Sequence, residues 1–259
     1  MTGPARERWV RALRSAAADS FGPGEYVGQE SFVTASEARE LARAADIKAE
    51  DRVLDLCCGT GGLTCHVAEA IGCRILGVDR SPTAIRLARV AASAPHVRPR
   101  VGFLVADATR LPLAGPVDAA LLFETTLAIK DKGALLTEIR RVLRPGARFG
   151  LTVEEGIPFD RAEREGLSHA DAVWLIPEEA FAALCKVRGF RLVWQEDHTA
   201  QHAVVAEHLL DAYERQRAEV AERIGSDLCD RLIADHRGWV HWLTTRRVRK
   251  LVIVVEREV

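Results

Sequence analysis

The stretch of sequence that decides the fold is RVLDLCCGTGG, residues 52–62. Its first five residues predict a short, buried strand. The glycines that follow have no Cβ atom, so the backbone can turn tightly there. We expect the turn to lead into a helix that starts near Thr60 and carries apolar residues on one side, at Leu63, Val67, Ala68 and Ile71. The stretch therefore predicts a strand, a glycine turn and a helix in direct succession.

A second apolar run, RILGV at residues 74–78, ends at Asp79. With the first strand and its helix it forms a βαβ unit, in which both strands end at the same edge of the sheet. A carboxylate at the end of the second strand of such a unit can hydrogen-bond both hydroxyls of a ribose. The order of elements therefore predicts a ribose-containing ligand across the glycine turn, held by Asp79.

The spacing of the glycines distinguishes between classes of nucleotide site. Gly59, Gly61 and Gly62 do not form the G-x-G-x-x-G motif of dinucleotide-binding proteins, and no Gly-Lys-Ser/Thr of a P-loop follows. The spacing resembles the first motif of class I S-adenosylmethionine (SAM)-dependent methyltransferases, an acidic residue followed by G-x-G-x-G, with Cys57 at the first glycine. A doubly wound turn that binds nothing is the alternative. The resemblance implies SAM as the cofactor, in contact with Asp55, Cys57, Gly59, Thr60, Gly61 and Asp79.

Further apolar runs predict strands at residues 101–105, 117–124 and 148–153. The carboxyl ends of successive strands point to one crevice, where open α/β sheets bind their ligands. The methyltransferase resemblance implies that Asp107 and Ala108, which follow the third strand, contact the adenine. It also adds Arg80 and Phe123 to the cofactor contacts.

The whole pattern predicts an α/β fold, a Rossmann-like, seven-stranded, mostly parallel sheet with helices on both faces. We divide the chain into four segments. Residues 1–46 form amino-terminal helices and a lid, and residues 47–199 form a SAM-binding core. Residues 200–245 form a helical cap over the acceptor, inserted before the last strand, and residues 246–259 form that final strand. Thr34 and Glu37 have the spacing of a capping box, which opens a helix after the lid. In related methyltransferases this segment folds over SAM, which implies contacts from Tyr26, Gln29 and Phe32. A surface loop whose aromatic residues pack inward is the alternative.

The acceptor side is less specific in sequence. Methyl transfer from a sulfonium needs a well-positioned nucleophile, and it needs a base only where the acceptor must lose a proton. Glu124, at the end of the fourth strand, is the predicted catalytic residue. Related enzymes have a histidine where this chain has Ala128. The predicted acceptor contacts are Glu124, Glu154, His169, Trp174, Tyr213 and Trp239.

Charge and composition limit the partners. The 259 residues contain 36 Lys and Arg against 37 Asp and Glu, a net charge of −1, so we expect no nucleic-acid partner. No apolar run reaches the length of a membrane span, so we expect a cytoplasmic protein without a membrane partner. The 6 cysteines lack C-x-x-C spacing, so we expect packing roles for them and no metal. The basic run at residues 246–250 is interpreted as a solvated strand entrance.

The order of elements after the fifth strand resembles the sarcosine/dimethylglycine N-methyltransferase-like branch and kindred natural-product methyltransferases. This resemblance implies transfer of a methyl group from SAM to an N, O or C nucleophile of a small molecule, in specialised metabolism. Two alternatives stay open. One is a quinone methyltransferase of the menaquinone type, which the Cys57-Cys58 pair resembles. The other is a SAM-binding protein without methyl transfer, acting as a cyclase helper or a regulatory module. The sequence leaves the acceptor, the methylated atom and the oligomeric state undetermined.

Overall fold

A computed structural model describes residues 14, 16–18, 20–165 and 173–259 of the chain. The strands are β1 Arg52–Leu56, β2 Arg74–Asp79, β3 Val101–Val105, β4 Val117–Leu122, β5 Leu143–Glu155, β6 Phe190–Asp197 and β7 Arg249–Arg257. They form one seven-stranded sheet in the order β3-β2-β1-β4-β5-β7-β6. Strands β1 to β5 are parallel, whereas β7 pairs antiparallel with both β5 and β6. The predicted seven-stranded, mostly parallel sheet is confirmed.

The helices of the described residues are α1 Ala35–Ala44, α2 Gly62–Ile71, α3 Pro82–Ala91, α4 Lys132–Val142, α5 Arg161–Glu165, α6 Glu178–Val187, α7 Thr199–Arg215, α8 Arg217–Ile224 and α9 Ser226–Thr244. None of these described helices is both long enough and apolar enough to cross a membrane. The capping box that opens α1 is confirmed, because Thr34 Oγ1 accepts a hydrogen bond from Glu37 N (3.1 Å) and Glu37 Oε2 accepts one from Thr34 N (2.7 Å). Helix α2 begins at Gly62, slightly later than predicted, because Gly61 has a left-handed φ of 78°.

Helices cover both faces of the sheet, as predicted. Neighbouring residues of a strand point to opposite faces. Leu54 of β1 therefore packs in one apolar cluster with residues of α4 and α6, such as Leu135 and Phe181. Val53 belongs to a second cluster that contains residues of α1 and α2, such as Leu41.

The helices between β6 and β7 form a third apolar cluster with the amino-terminal segment. Leu209 and Tyr213 of α7 and Leu232 of α9 pack together with Phe21 and Phe32. The predicted roles of these helices as a cap and of residues 1–46 as a lid remain predictions. The fold thus brings two sequence-distant segments together beside the sheet.

The order of the strands fixes where a ligand binds. The chain winds outward to β3 on one side of β1 and returns through β4 and β5 on the other side. Open α/β sheets bind ligands outside the carboxyl ends of the strands at such a reversal. The crevice above β1 and β4 is therefore the expected site.

Candidate active site

A cavity of about 470 Å³ lies at the carboxyl ends of β1, β2 and β4. Part of its wall comes from the glycine turn and the strand ends, including Asp55 and Asp79; we call this the turn half. The rest comes from the amino-terminal segment, α7 and α9, including Phe32, Tyr213 and Trp239; we call this the helical half. One continuous cavity therefore joins the predicted cofactor residues to residues of the predicted cap.

The glycine turn has a backbone that favours glycine at three positions. Cys57, Gly59 and Gly61 have φ values of 56°, 54° and 78°, all left-handed. Such a φ is costly for a residue with a Cβ atom, so Cys57 occupies a position where glycine would be unstrained. A Cβ atom on Gly62 would collide with the carbonyl oxygen of Val27. The turn and the amino-terminal segment therefore approach as closely as glycine allows.

Asp55 presents an unpaired acceptor beneath the turn. Its Oδ2 accepts a hydrogen bond from Thr64 Oγ1 of α2 at 2.5 Å. Its Oδ1 is buried and has no hydrogen-bond partner among the described residues. Burial raises the pKa of Asp55 to about 7, although the Thr64 hydrogen bond opposes this shift. Buried polar atoms are normally paired, so a cationic group of a ligand would complete this site.

Asp79 ends β2 and lines the cavity. Its Oδ2 accepts a hydrogen bond from Gly59 N at 3.0 Å, and its Oδ1 accepts one from Ser81 N at 2.8 Å. These contacts hold the carboxylate in one orientation. Each carboxylate oxygen can accept a further hydrogen bond. Asp79 can therefore still accept the hydrogen bonds that we predict from the ribose hydroxyls.

The other predicted cofactor contacts divide into two groups. Those that line the cavity are Tyr26, Gln29, Phe32, Cys57, Gly59, Thr60 and Phe123. Those placed outside its lining are Gly61, Arg80, Asp107 and Ala108. A Cβ atom on Gly61 would lie 2.9 Å from Ala88 Cβ, so this glycine permits close packing of α2 on α3. Asp107 Oδ1 accepts hydrogen bonds from Thr109 N (2.8 Å) and Thr109 Oγ1 (2.7 Å), which close a turn after β3.

The amide of Gln29 is occupied by the backbone of its own segment. Its Oε1 accepts a hydrogen bond from Val27 N (2.7 Å), and its Nε2 donates to the carbonyl oxygens of Glu25 and Val33, both at 2.9 Å. Thr60 Oγ1 donates to the carbonyl oxygen of Gly28 at 3.1 Å and ties this segment to the glycine turn. Gln29 thus shapes the cavity wall through the fold of the segment.

Glu124 lies at the centre of a buried ion network. Its Oε1 accepts hydrogen bonds from the Lys250 ammonium and from His202 Nδ1 (3.1 Å). Its Oε2 accepts one from Phe32 N. Lys250 Nζ also bonds to Glu154 Oε1 at 3.2 Å. Lys250 is 1% exposed, and Glu154 and His202 are 0% exposed. Residues from β5, β7, α7 and the amino-terminal segment therefore meet at the end of β4.

The charges of this network are fixed by its contacts. Burial alone would raise the pKa of Glu124, but the Lys250 ammonium and the His202 imidazolium outweigh burial and lower it to about 2. Burial alone would lower the pKa of His202, but Glu124 and Glu37 outweigh burial and raise it to about 9. Glu124 is therefore ionised and a weak proton acceptor, which favours an organising role for this predicted catalytic residue.

Glu37, His198 and His202 are grouped closely enough to hold a metal ion, with their ligand atoms within 4.8 Å of one another. In the structure, Glu37 Oε1 accepts hydrogen bonds from His198 Nδ1 (2.7 Å) and His202 Nε2 (2.9 Å). The second nitrogen of each ring faces another carboxylate, Glu196 for His198 and Glu124 for His202. A ring with both nitrogens on carboxylates is an imidazolium, which has no lone pair for a metal. The group extends the ion network.

Comparison with known proteins identifies the fold and the cofactor. Residues 53–146 match the family described as "Methyltransferase domain". Phosphoethanolamine N-methyltransferase 1 of Triticum aestivum is 30% identical over 85% of this chain and 43% of its own length. The chain belongs to the class I SAM-dependent methyltransferases. It spans about half the length of the curated relatives it matches.

Solved methyltransferase structures share the fold of this chain. A putative sarcosine dimethylglycine methyltransferase from Galdieria sulphuraria is 14% identical, with a TM-score of 0.76 over 85% of this chain and 82% of its own. The phosphoethanolamine N-methyltransferase 2 of Haemonchus contortus, in complex with SAM, is 20% identical, with a TM-score of 0.77 over 96% of this chain and 57% of its own.

The turn half of the cavity fits SAM, the cofactor of this family. The methionine part of SAM carries an ammonium, and Asp55 Oδ1 is a buried acceptor without a partner among the described residues. The ribose carries two hydroxyls, and the Asp79 carboxylate is fixed at the cavity wall. Backbone with left-handed φ at Gly59 leaves room for a ligand against the turn.

The predicted acceptor contacts of this methyltransferase are not all brought together. Tyr213 and Trp239 line the cavity, as does Glu124. Glu154 does not line it, and its Oε2 accepts a hydrogen bond from Leu127 N at 2.9 Å. His169 lies outside the described residues.

Trp174, another predicted acceptor contact, is placed away from the lining of the cavity. Lys130 Nζ and Arg164 Cζ each lie 4.4 Å from the centroid of its ring. Its backbone N donates to the carbonyl oxygen of Leu127 at 2.8 Å, and its carbonyl oxygen accepts from Lys132 Nζ at 2.6 Å. In this structure the side chain is a contact surface for cations.

Among the residues of the cavity and the ion network that sequence reasoning missed are Lys250, His202 and His236. The interpretation of residues 246–250 as a solvated entrance is wrong for Lys250, because β7 pairs Lys250 with Glu154 of β5 inside the sheet. That pairing depends on the antiparallel insertion of β7 between β5 and β6, for which the sequence has no local signal. The spacing of His198 and His202, one turn apart on a helix, was a signal that they share a face.

Proposed function

We propose that this chain transfers a methyl group from SAM to a small-molecule acceptor, at an N, O or C nucleophile, in specialised metabolism. The observation that carries the proposal is the single cavity that runs from Asp55 and Asp79 to Tyr213 and Trp239. A cofactor in the turn half and an acceptor in the helical half share that space. Holding two reactants in line removes much of the entropic cost of their encounter.

The residues of the turn half would position the cofactor. SAM, when bound, supplies an activated methyl group. Asp79 would accept hydrogen bonds from the ribose hydroxyls, and Asp55 Oδ1 would pair with the ammonium. Phe123 of the turn half and Tyr26 of the amino-terminal segment, which both line the cavity, would contact the apolar parts of the cofactor. The proposed adenine contacts, Asp107 and Ala108, follow β3 at the same edge of the sheet and lie outside the lining of the cavity.

Residues 1–46 and 200–245 would exclude water from the transfer. Their described parts pack on each other through Phe32 and Tyr213, and both residues also line the cavity. Glu124 links the two segments, because it accepts hydrogen bonds from Phe32 N and from His202 Nδ1. We assign Glu124 the role of holding the lid and the cap around the acceptor.

The charges of the cavity wall favour some acceptors over others. The acidic residues that line it are Glu30, Asp55, Asp79 and Glu124, and the strongly basic ones are Arg14 and Lys250. Lys250 is already paired with two carboxylates. With Asp55 and Asp79 left to the cofactor, Glu30 and Glu124 stand against Arg14 and Lys250, so the acceptor side has no surplus of positive charge to attract a diphosphate, which favours a neutral or cationic molecule. The balanced charge of the chain, 36 basic against 37 acidic residues, supports a cytoplasmic protein without nucleic-acid or membrane partners.

The test uses SAM with a labelled methyl group and a panel of amines, phenols, quinones and prenyl diphosphates. We expect SAM to bind in calorimetry and the label to pass to an amine or a phenol. Label transferred only to a quinone would favour the quinone methyltransferase alternative. Tight SAM binding with no transfer to any class would favour a SAM-binding protein without methyl transfer. Failure of SAM to bind would contradict the proposal at its first step.

A further inference from the structure

His236 is a titratable side chain of the helical half that takes no part in the ion network. It lies on α9 and lines the cavity. Its Nδ1 is 2.9 Å from the carbonyl oxygen of Leu232, one helical turn earlier. A carbonyl oxygen only accepts hydrogen bonds, so Nδ1 carries the hydrogen. In the neutral ring, the lone pair therefore belongs to Nε2.

The surroundings of His236 keep its ring neutral, in contrast to those of His202. Both nitrogens of His202 face carboxylates. Within the part of the chain that the structure describes, Nε2 of His236 has no hydrogen-bond partner. Burial lowers the pKa of His236, against the effects of the Leu232 hydrogen bond and of Asp235. Nε2 is thus an available proton acceptor at neutral pH.

Aromatic contacts hold the His236 ring in place. The Tyr213 ring meets it edge to face, with centroids 4.7 Å apart and an interplanar angle of 78°. The Phe32 ring contacts it at 6.3 Å and 86°. Both neighbours also line the cavity. A general base must be held in a defined orientation toward the proton it takes, and three contacts fix this imidazole.

The same half of the cavity contains a cation for a developing oxyanion. Lys250 Nζ has three N–H donors, and two of them are used by Glu124 and Glu154. Nζ lies 4.7 Å from the centroid of the Trp239 ring and 5.3 Å from that of the Phe32 ring. Phe32 contacts both Trp239, at 5.9 Å, and His236. An available base and a partly available ammonium therefore flank one aromatic wall.

We propose that His236 is a catalytic residue, the general base of the methyl transfer, and that the acceptor is a hydroxylated aromatic molecule. The inference rests on the proposed function. The acceptor hydroxyl gives its proton to His236 Nε2 while its oxygen forms a bond to the methyl carbon. The carbon–sulfur bond breaks with its electron pair left on sulfur, and the imidazolium then releases the proton to water. His236 would replace the base that Ala128 cannot provide.

The first test compares wild type, His236→Gln and His208→Gln with labelled SAM. His208 is the matched control, because its Nδ1 also bonds a backbone carbonyl, that of Ser20 at 3.2 Å, but the residue lies outside the cavity lining. The probes are catechol and 2-naphthol as hydroxylated aromatics, and benzylamine and aniline as amines. We expect His236→Gln to lower kcat on the hydroxylated probes by about 100-fold or more, with KM and SAM affinity within about threefold. His208→Gln should match wild type.

The results of this first test distinguish a failure of the His236 assignment from a failure of the proposed methyl transfer. A His236→Gln variant with the wild-type rate, or transfer to the amines alone, would overturn the inference and leave the proposed methyl transfer intact. No transfer by the wild type to these probes or to any other class of the wider panel would overturn the proposed function and the inference with it.

The second test observes His236 itself, by long-range ¹H–¹⁵N spectra of the imidazoles, assigned with His236→Gln. We expect an Nδ1–H tautomer, a pKa below the ordinary 6.5 and a shift of the Nε2 signal when catechol is added to the complex with S-adenosylhomocysteine. The groups that face this ring are Tyr213 and Asp235, with Tyr26, Glu30, His202 and Lys250 beyond them. The wild-type rate should fall as the pH drops through this pKa. An Nε2–H tautomer, or a pKa above 6.5, would overturn the assignment.

Discussion

The two halves of the cavity are built in opposite ways. The turn half comes from residues 55–62 and Asp79, which are close in sequence and held by local hydrogen bonds such as the one that Gly59 N donates to Asp79 Oδ2. The helical half depends on contacts between distant segments, and 126 positions separate Glu124 from Lys250. The turn half is therefore formed by residues close in sequence, whereas the helical half forms only when distant segments of the chain have folded together.

The two halves also differ in how they use charge. The carboxylates of the turn half, Asp55 and Asp79, have no basic side-chain partner among the described residues and retain acceptor capacity for a ligand. The carboxylates of the ion network beside the helical half, Glu124 and Glu154, are already paired with Lys250. Changes in the helical half should therefore alter the stability of the fold, and changes in the turn half should alter ligand affinity.

The largest effect is expected from Lys250→Met. The change removes the ammonium and leaves Glu124 and Glu154 buried without it, so we expect the free energy of unfolding to fall by about 3–5 kcal/mol. Chemical denaturation measures this loss. Lys48→Met is the control, because Lys48 pairs with Asp46 at 3.1 Å on the surface, with its side chain 70% exposed; it should change stability by less than about 0.5 kcal/mol. A loss below about 1 kcal/mol for Lys250→Met would show that the ion network does not hold the helical half together.

The same difference explains what could be predicted from the sequence. The strand, glycine turn and capping box near residues 34–62 are set by local rules of backbone and side chain, so they were predictable in detail. Asp79 was predictable as a cavity residue because a βαβ unit fixes where its second strand ends. Lys250 was not, because its burial follows from the strand order β5-β7-β6, and a basic run beside an apolar strand is more often solvated.

The residues of the helical half also show how far the sequence could predict the cavity. Tyr213 and Trp239, predicted as acceptor contacts, line the cavity from the inner faces of α7 and α9, and their contact with an acceptor stays a prediction. His236 lies on the same inner side of α9 as Trp239. Its position in the sequence, one helical turn from other polar residues, does not distinguish it from a surface histidine, so it could not be predicted as a cavity residue. Its role in the structure depends on the carbonyl oxygen of Leu232 and on the Tyr213 ring, and neither contact is visible in sequence.

A smaller effect, and one on affinity, is expected from Asp79→Ala. Loss of hydrogen bonds from the ribose to a charged group should weaken SAM binding by about 1.5–3 kcal/mol. Isothermal calorimetry measures the change, and Asp79→Asn should show a partial loss because it keeps one acceptor oxygen. Asp211→Ala is the control, since Asp211 is a surface residue paired with Arg215 on α7. Unchanged affinity in a folded Asp79→Ala protein would remove Asp79 from the cofactor site and with it the local encoding of the turn half.

The pH dependence of SAM binding tests whether Asp55 pairs with the ammonium of SAM. Burial raises the pKa of Asp55 from 3.8 to about 7 in the protein without ligand. The pair needs an ionised carboxylate and a protonated amine, so affinity should be highest just above pH 7 and fall by up to about tenfold for each unit below it. Calorimetry between pH 5.5 and 8.5, corrected for buffer protons, measures the slope. Asp55→Asn should abolish the dependence, and a wild-type affinity that is independent of pH would contradict an ammonium contact at Oδ1.

The smallest effect is expected from substitutions at Cys57, which test the backbone conformation of the glycine turn separately from its contacts with a ligand. Its φ of 56° suits glycine, so Cys57→Gly should relieve strain of about 1 kcal/mol. Glycine also gives the unfolded chain about 0.4–1 kcal/mol more conformational freedom to lose, which offsets most of that gain. We therefore expect the free energy of unfolding and the SAM affinity of Cys57→Gly to stay within about 1 kcal/mol of wild type. Cys57→Val is the matched opposite, because a β-branched residue is poorly tolerated at positive φ, and it should lose about 1–3 kcal/mol. Equal stability of the glycine and valine variants would mean that the left-handed backbone at residue 57 does not determine which side chains this position tolerates.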